Sequence, residues 1–167
     1  QHESTAVPAH QQRNPGSRQA GQLRAQVSAR LVQLLAAEPV HLVAGREDVA
    51  VAGRVDDLSA DDARSLVDAL NRHFAEDGIA FVAPRPDTWF VTTNARPDLV
   101  TVPLDTVLGS MMSPYLPTGG AARLWQRWST EIQMLLHAHP VNQARTRLGL
   151  APCNGVWFWG GGQLADV

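Results

Sequence analysis

"LSADDARSLVDALNRHFAEDGIAFVAPRPDTWFVTT", residues 58–93, carries two hydrophobic periods in succession. In its first half Ala63, Leu66, Val67, Leu70 and Phe74 recur at helical spacing and fall on one face. Ser59 stands at the N-cap position, Asp62 lies at the capping-box distance, and Gly78 sits where the chain must leave the helix. The second half changes period. "IAFVAP" and "TWFVTT" flank "RPD", a short turn that predicts a hairpin. A helix with one apolar face, followed at once by a hairpin, has a sheet to cover.

Upstream, Leu23, Val27, Leu31, Leu34 and Leu35 recur at helical spacing until Pro39, which predicts an earlier helix. "PVHLVAGREDVAVAG" then reads as two short strands around a polar turn at Arg46 to Asp48. Residues 1–20 mix Gln, His, Ser, Pro and Gly without any period and are expected to be a disordered arm or linker. Residues 21–167 are expected to form a single domain, a piece of a longer protein.

Downstream, "RPDLVTVPLDTVLGSMMSPYLPTGG" has four prolines and reads as an ordered connector, with Met111, Met112, Tyr115 and Leu116 as anchors beneath it. A long helix follows over residues 121–139, with Leu124, Trp125, Trp128, Ile132, Leu135 and Leu136 inward. Pro140 interrupts it, a short helix is expected from Asn142 to Leu148, and Gly149 stops that one. "GVWFW", apolar on both faces, reads as an interior strand. The expected architecture is α+β, a small mixed sheet covered by helices.

The 167 residues suit one domain with a substantial core, and 44% of them are hydrophobic. Fourteen basic residues against 16 acidic ones give a net charge of -2, which supplies no electrostatic footprint for nucleic acid or an anionic membrane. No apolar run approaches the roughly 20 residues of a transmembrane helix. The single cysteine, Cys153, excludes an intrachain disulfide and fits a reducing compartment, so a cytoplasmic location is expected.

Most candidate chemical groups have a structural reading that is at least as strong. His137 and His139, two apart on a helix, point in different directions and do not make the i, i+4 pair of a helical metal site. His41 within a strand is a half-buried histidine with a backbone partner. Asp56, Asp57, Asp61 and Asp62 cluster at a helix start, where carboxylates are stabilised by unpaired amides. Cys153 has Asn154 as its neighbour and reads as an inert buried thiol, and Ser59, Ser110 and Ser113 lack a hydrolase elbow. These residues offer no catalytic group and no metal ligand.

Two features remain. "WGGGQL" places Gly160, Gly161 and Gly162 after a strand, where backbone amides can cradle a phosphate or simply let the strand turn. Asn142, Arg145 and Asn154, with Arg147 nearby, combine a guanidinium fork with amides, a set that suits a small phosphorylated acid. The same three residues can equally cap the short helix, pair with an acid and tie a turn.

The stretch "LPTGG...HAHPVNQARTRLGLAPCNGVWFWGGG", preceded by "LSADDARSLVDALNRHFAEDGIAFVAP", resembles the archaeal-type cofactor-independent phosphoglycerate mutases and their bacterial relatives, some of them regulatory or uncharacterised. Asn142, Arg145, Gly149, Pro152, Asn154, Trp157, Trp159, Gly160 and Gly162 match that family's motif, and the resemblance covers roughly residues 48–162. It implies an inserted, substrate-side domain of an alkaline-phosphatase-like enzyme. Such enzymes interconvert 3-phosphoglycerate and 2-phosphoglycerate through a phosphoenzyme, using a nucleophile and two divalent metal ions, manganese or zinc. No histidine or aspartate here matches the metal-binding or nucleophile segments. The resemblance therefore implies a substrate-side module that binds a small phosphorylated acid and is catalytically incomplete alone, its partner being the remainder of the parent chain. The alternative is a non-catalytic regulatory or protein-interaction module derived from the same family.

Overall fold

The computed structural model describes residues 33–163, the last two as backbone only. The expected arm over residues 1–20, and the part of the expected first helix before Gln33, lie outside the described residues. Five strands form one sheet: β1 Gln33–Ala44, β2 Val49–Arg54, β3 Ile79–Arg85, β4 Thr88–Thr93 and β5 Gly155–Gln163. Among the described residues four α-helices and one short 3-10 helix, Ser113–Tyr115, accompany them: α1 Ala60–His73, α2 Leu104–Val107, α3 Ala122–His137 and α4 Pro140–Arg147. The class is α+β. Where a mixed sheet was expected, all four described pairings are antiparallel.

The long strand β1 organises the sheet. One edge pairs with β5 from Gln33 to Val40, while the other pairs with β4 over Gln33–Ala36 and with β2 over Val40–Ala44. Leu34, Leu35 and their neighbours thus lie in a strand, contrary to the helix their spacing suggested. A short run of Leu, Ala and Glu fits a helix or a buried strand equally well by period. Pairing on both edges decides against its helical propensity. The side chains of Gln33, Leu35 and Ala37 are buried, with half-buried residues between them, which is the period of two that a strand imposes. Pro39 is tolerated because it falls in the gap between β4 and β2. Its carbonyl accepts the Val55 N–H at 3.1 Å on that edge, so the N–H it lacks would face a stretch with no partner strand.

α1 forms as its sequence predicts. Ser59 Oγ accepts the Asp62 N–H at 3.0 Å, Asp61 and Asp62 occupy the first turn, and Arg72 and His73 the last. Its apolar face joins Phe74 and the α3 residues Trp125, Trp128, Ile132 and Leu136 over Leu35, Phe81, Val91 and Phe158 of the sheet. Phe74 and Trp128 meet edge to face at 6.2 Å, and Trp125 meets Phe158 at 4.9 Å. Leu124, expected inward, is 39% exposed, because it precedes the Trp125–Trp128–Ile132 stripe by one residue and so turns about 100° away from it.

The connector covers the opposite face. Leu104, Val107, Met112 and Tyr115 pack on Val40, Leu42, Val51 and Trp157. Backbone bonds from Val51 N to Ser110 O and from Met112 N to Val49 O close the outer edge of β2. β5 pairs only with β1 among the described residues, so it is not the interior strand expected. Its sequence is apolar on both sides because α3 covers one face and the connector the other. α4 starts at Pro140, earlier than expected, because His139 supplies the cap and proline suits the first helical position. Gly149, at φ +72°, ends it.

Candidate functional site

The residues of the "N..R...G..P.N" motif converge on the extended segment from Ala151 to Asn154, which leads into β5. Asn142 is 2% exposed; its Oδ1 accepts the Cys153 N–H at 2.8 Å, and its Nδ2 donates to the carbonyls of Cys153 and Leu136, both at 2.8 Å. Arg145 Nε donates to the Ala151 carbonyl at 2.8 Å, and its Nη2 donates to Asp57 Oδ1 at 2.5 Å. His41 Nδ1 lies 3.1 Å from the Pro152 carbonyl, an acceptor to which it donates. Asn154 turns the other way: its Oδ1 accepts the Leu42 N–H at 2.7 Å, and its Nδ2 donates to the Leu42 carbonyl at 2.9 Å. Its amide thereby continues the β1–β5 ladder one step past Gly155. The four residues of the segment are thus each held through a side chain.

This clamp differs from the open anion site that the residue types suggested. Asn142 and Arg145 are brought together and Asn154 is not, since it points at β1. Arg145 is 4% exposed beneath Asp57, so its guanidinium offers no open face to a ligand. Asn142 does not cap α4, because His139 does. A buried amide with such complete protein partners is conserved in energy only while all of them are present.

Other candidates resolve as structural groups. Burial pushes the Cys153 thiol up to about 12, against the opposing pull of the Arg145 charge, so the thiol is neutral at ordinary pH. Ser113 Oγ donates to Asp48 at 2.7 Å; that bond first, and the Val49 N–H next, hold the Asp48 carboxyl below its usual range. Asp61 pairs with Arg64, and Asp57 with Arg145. His137 is exposed, and His139 is engaged as a cap. Among the described residues no group of three or more His, Cys, Asp or Glu side chains is placed to hold a metal ion. The two-metal centre implied by the resemblance therefore does not fit this part of the chain. No helix among the described residues is long and apolar enough to cross a membrane.

The glycine run has a different setting. Gly160 and Gly161 have φ of +78° and +148°, and the Gly160 N–H donates to Thr101 Oγ1 at 2.9 Å. With Gln33, Leu35, Arg96, Pro97 and Leu99 they line a small polar niche of about 30 Å³, room for one oxygen-sized group. Arg96 is exposed and enters no ion pair among the described residues. Sequence reasoning passed over it. Its signal is a lone arginine before Pro97, in the loop that leaves β4.

An antiparallel sheet with helices on one face, a long connector on the other and a clamped entry to β5 defines an α+β domain. The fold is shared with the cofactor-independent phosphoglycerate mutase from Thermoplasma acidophilum, at a TM-score of 0.57 and 16% identity, over 80% of this chain and 37% of that one. No family model matches the chain. A 2,3-bisphosphoglycerate-independent phosphoglycerate mutase of Methanothrix thermoacetophila is 37% identical over 70 residues, 42% of this chain and 18% of that protein. The Methanosarcina mazei enzyme of the same name is 26% identical over 107 residues, 63% of this chain and 27% of its own length. A probable member from Geobacter sulfurreducens is 28% identical over 111 residues, covering 64% and 27%. The chain is thus similar over part of its length to 2,3-bisphosphoglycerate-independent phosphoglycerate mutases, and it spans less than a third of the length of these curated relatives.

Proposed function

We propose that this domain is the substrate-side module of a phosphoglycerate-mutase-like protein, and that its contact with a small phosphorylated acid lies at Arg96 and the Gly160–Gly162 run of β5. The observation that carries this reading is the pairing of exposed Arg96, which enters no ion pair among the described residues, with two glycines in the left-handed region on the wall of one polar niche. A side chain at such φ values is strained, so backbone can approach an anionic oxygen there more closely than elsewhere. The niche admits a single oxygen, and the rest of the anion would stay in the open, where the remainder of the parent chain is the natural second partner. The metal ions and nucleophile of the reaction belong to that remainder. The same reading places the protein in the cytoplasm, with its cysteine reduced.

The test is a titration of the isotope-labelled chain with 3-phosphoglycerate, followed through backbone amide and arginine side-chain resonances. Shifts are expected at Gly160, Gly161 and the Arg96 guanidinium, with the Arg145 and Asn142 side chains unmoved, and an Arg96→Ala variant should abolish them. The absence of any shift at millimolar ligand would remove the binding role and favour the protein-interaction alternative.

A further inference from the structure

His139 ends the α3 segment and begins α4. Its Nδ1 accepts the Val141 N–H at 3.1 Å, and its carbonyl accepts the N–H groups of Asn142 and Gln143. A ring nitrogen that accepts carries no proton, so the neutral ring holds its proton on Nε2. The ring is half-buried and faces α1, where the Ser65 carbonyl meets it. The charged groups that bear on it both belong to α1: Arg72 opposes a proton on the ring, and Asp62 favours one. Among the described residues of α3 and α4 no charged group shifts it.

We propose that His139 is a proton-operated latch: a proton on Nδ1 removes the cap of α4 and, through Asn142 and Arg145 on that helix, loosens the clamp on Ala151–Cys153. The coupling is direct, since the two clamp residues lie within the first two turns of α4 and reach Ala151 and Cys153 without intermediaries. Burial first, and Arg72 next, lower the ring's pKa below its ordinary 6.5, outweighing the Ser65 carbonyl and Asp62. A folded value below the unfolded one means that the unfolded chain binds the proton more readily. The stabilisation is complete above 6.5 and is lost as pH falls through the lowered folded value.

Hydrogen exchange of the chain at about pH 7.5 and about pH 5, corrected for intrinsic rates, reads the latch at the amides of Val141 and Cys153. Protection there is expected to fall at the lower pH relative to the β3–β4 hairpin. His139→Asn supplies a cap of a favoured type that does not titrate, so its protection should be flat across the same range. If that variant folds poorly, His139→Ser serves the same purpose. An equal fall in the Asn or Ser variant, or no fall in the unaltered chain, overturns the latch. So does a ring that titrates at or above 6.5.

Discussion

At Asn142 one side chain answers for three backbone groups, and its replacement measures what the clamp is worth. In Asn142→Ala the Cys153 N–H and carbonyl lose their side-chain partner in a buried setting, while the Leu136 carbonyl keeps the His139 N–H. Each stranded group costs about 1–3 kcal/mol, reduced where water enters, so a loss of about 3 kcal/mol is expected from urea midpoints. Arg64→Ala provides the contrast, because its pair with Asp61 is exposed on both sides and should contribute under about 0.5 kcal/mol. Equal effects for the two would show that Asn142 is as replaceable as a surface residue. The types and spacing of Asn142, Arg145 and Asn154 were legible in sequence. Their direction was not, since an amide that satisfies backbone and one that binds a hydroxyl look the same in a sequence. Arg145 was undecided for a similar reason: Asp57, which neutralises it, lies 88 positions away.

Among the elements, α1, the β3–β4 hairpin and α3 were legible because each carries its period and its end signals within its own residues. β1 was not, because its strand character comes from partners at residues 49–54, 88–93 and 155–163 that no local window contains. The connector's role was half legible. Met112 and Tyr115 do anchor it, whereas Met111 is exposed and meets Ala50 through its backbone. The helix faces give a quantitative check. Phe74 is fully buried between α1, α3 and Phe81, so Phe74→Ala should cost about 3–5 kcal/mol. Leu124→Ala, one residue off the buried stripe of α3, should cost within about 0.5 kcal/mol. Urea midpoints that reversed this order would put α3 in the wrong rotational setting.

On the scale of the whole molecule, the sheet is covered on both faces by its own chain, and the chemistry of the mutases it resembles has no centre among the described residues. Metal-dependent phosphoryl transfer needs a nucleophile and cations held across the reacting phosphate. Cys153 is a buried neutral thiol, and Ser113 donates its hydroxyl to Asp48 with no base beside it to take the proton. Carboxylates are present, yet they are distributed over separate partners: Glu38 and Asp105 on Arg54, Asp57 on Arg145, Glu131 on His73. Among the described residues, therefore, no group of three or more such side chains is gathered where a divalent ion would need two or three oxygens. The purified 167-residue chain is therefore expected to show no interconversion of 3-phosphoglycerate and 2-phosphoglycerate, with or without manganese or zinc. A coupled assay with enolase checks this. Turnover that rises with protein concentration, survives repurification and falls in Arg96→Ala would mean that this chain holds a complete active site after all, and the substrate-side reading would give way to that of an autonomous enzyme.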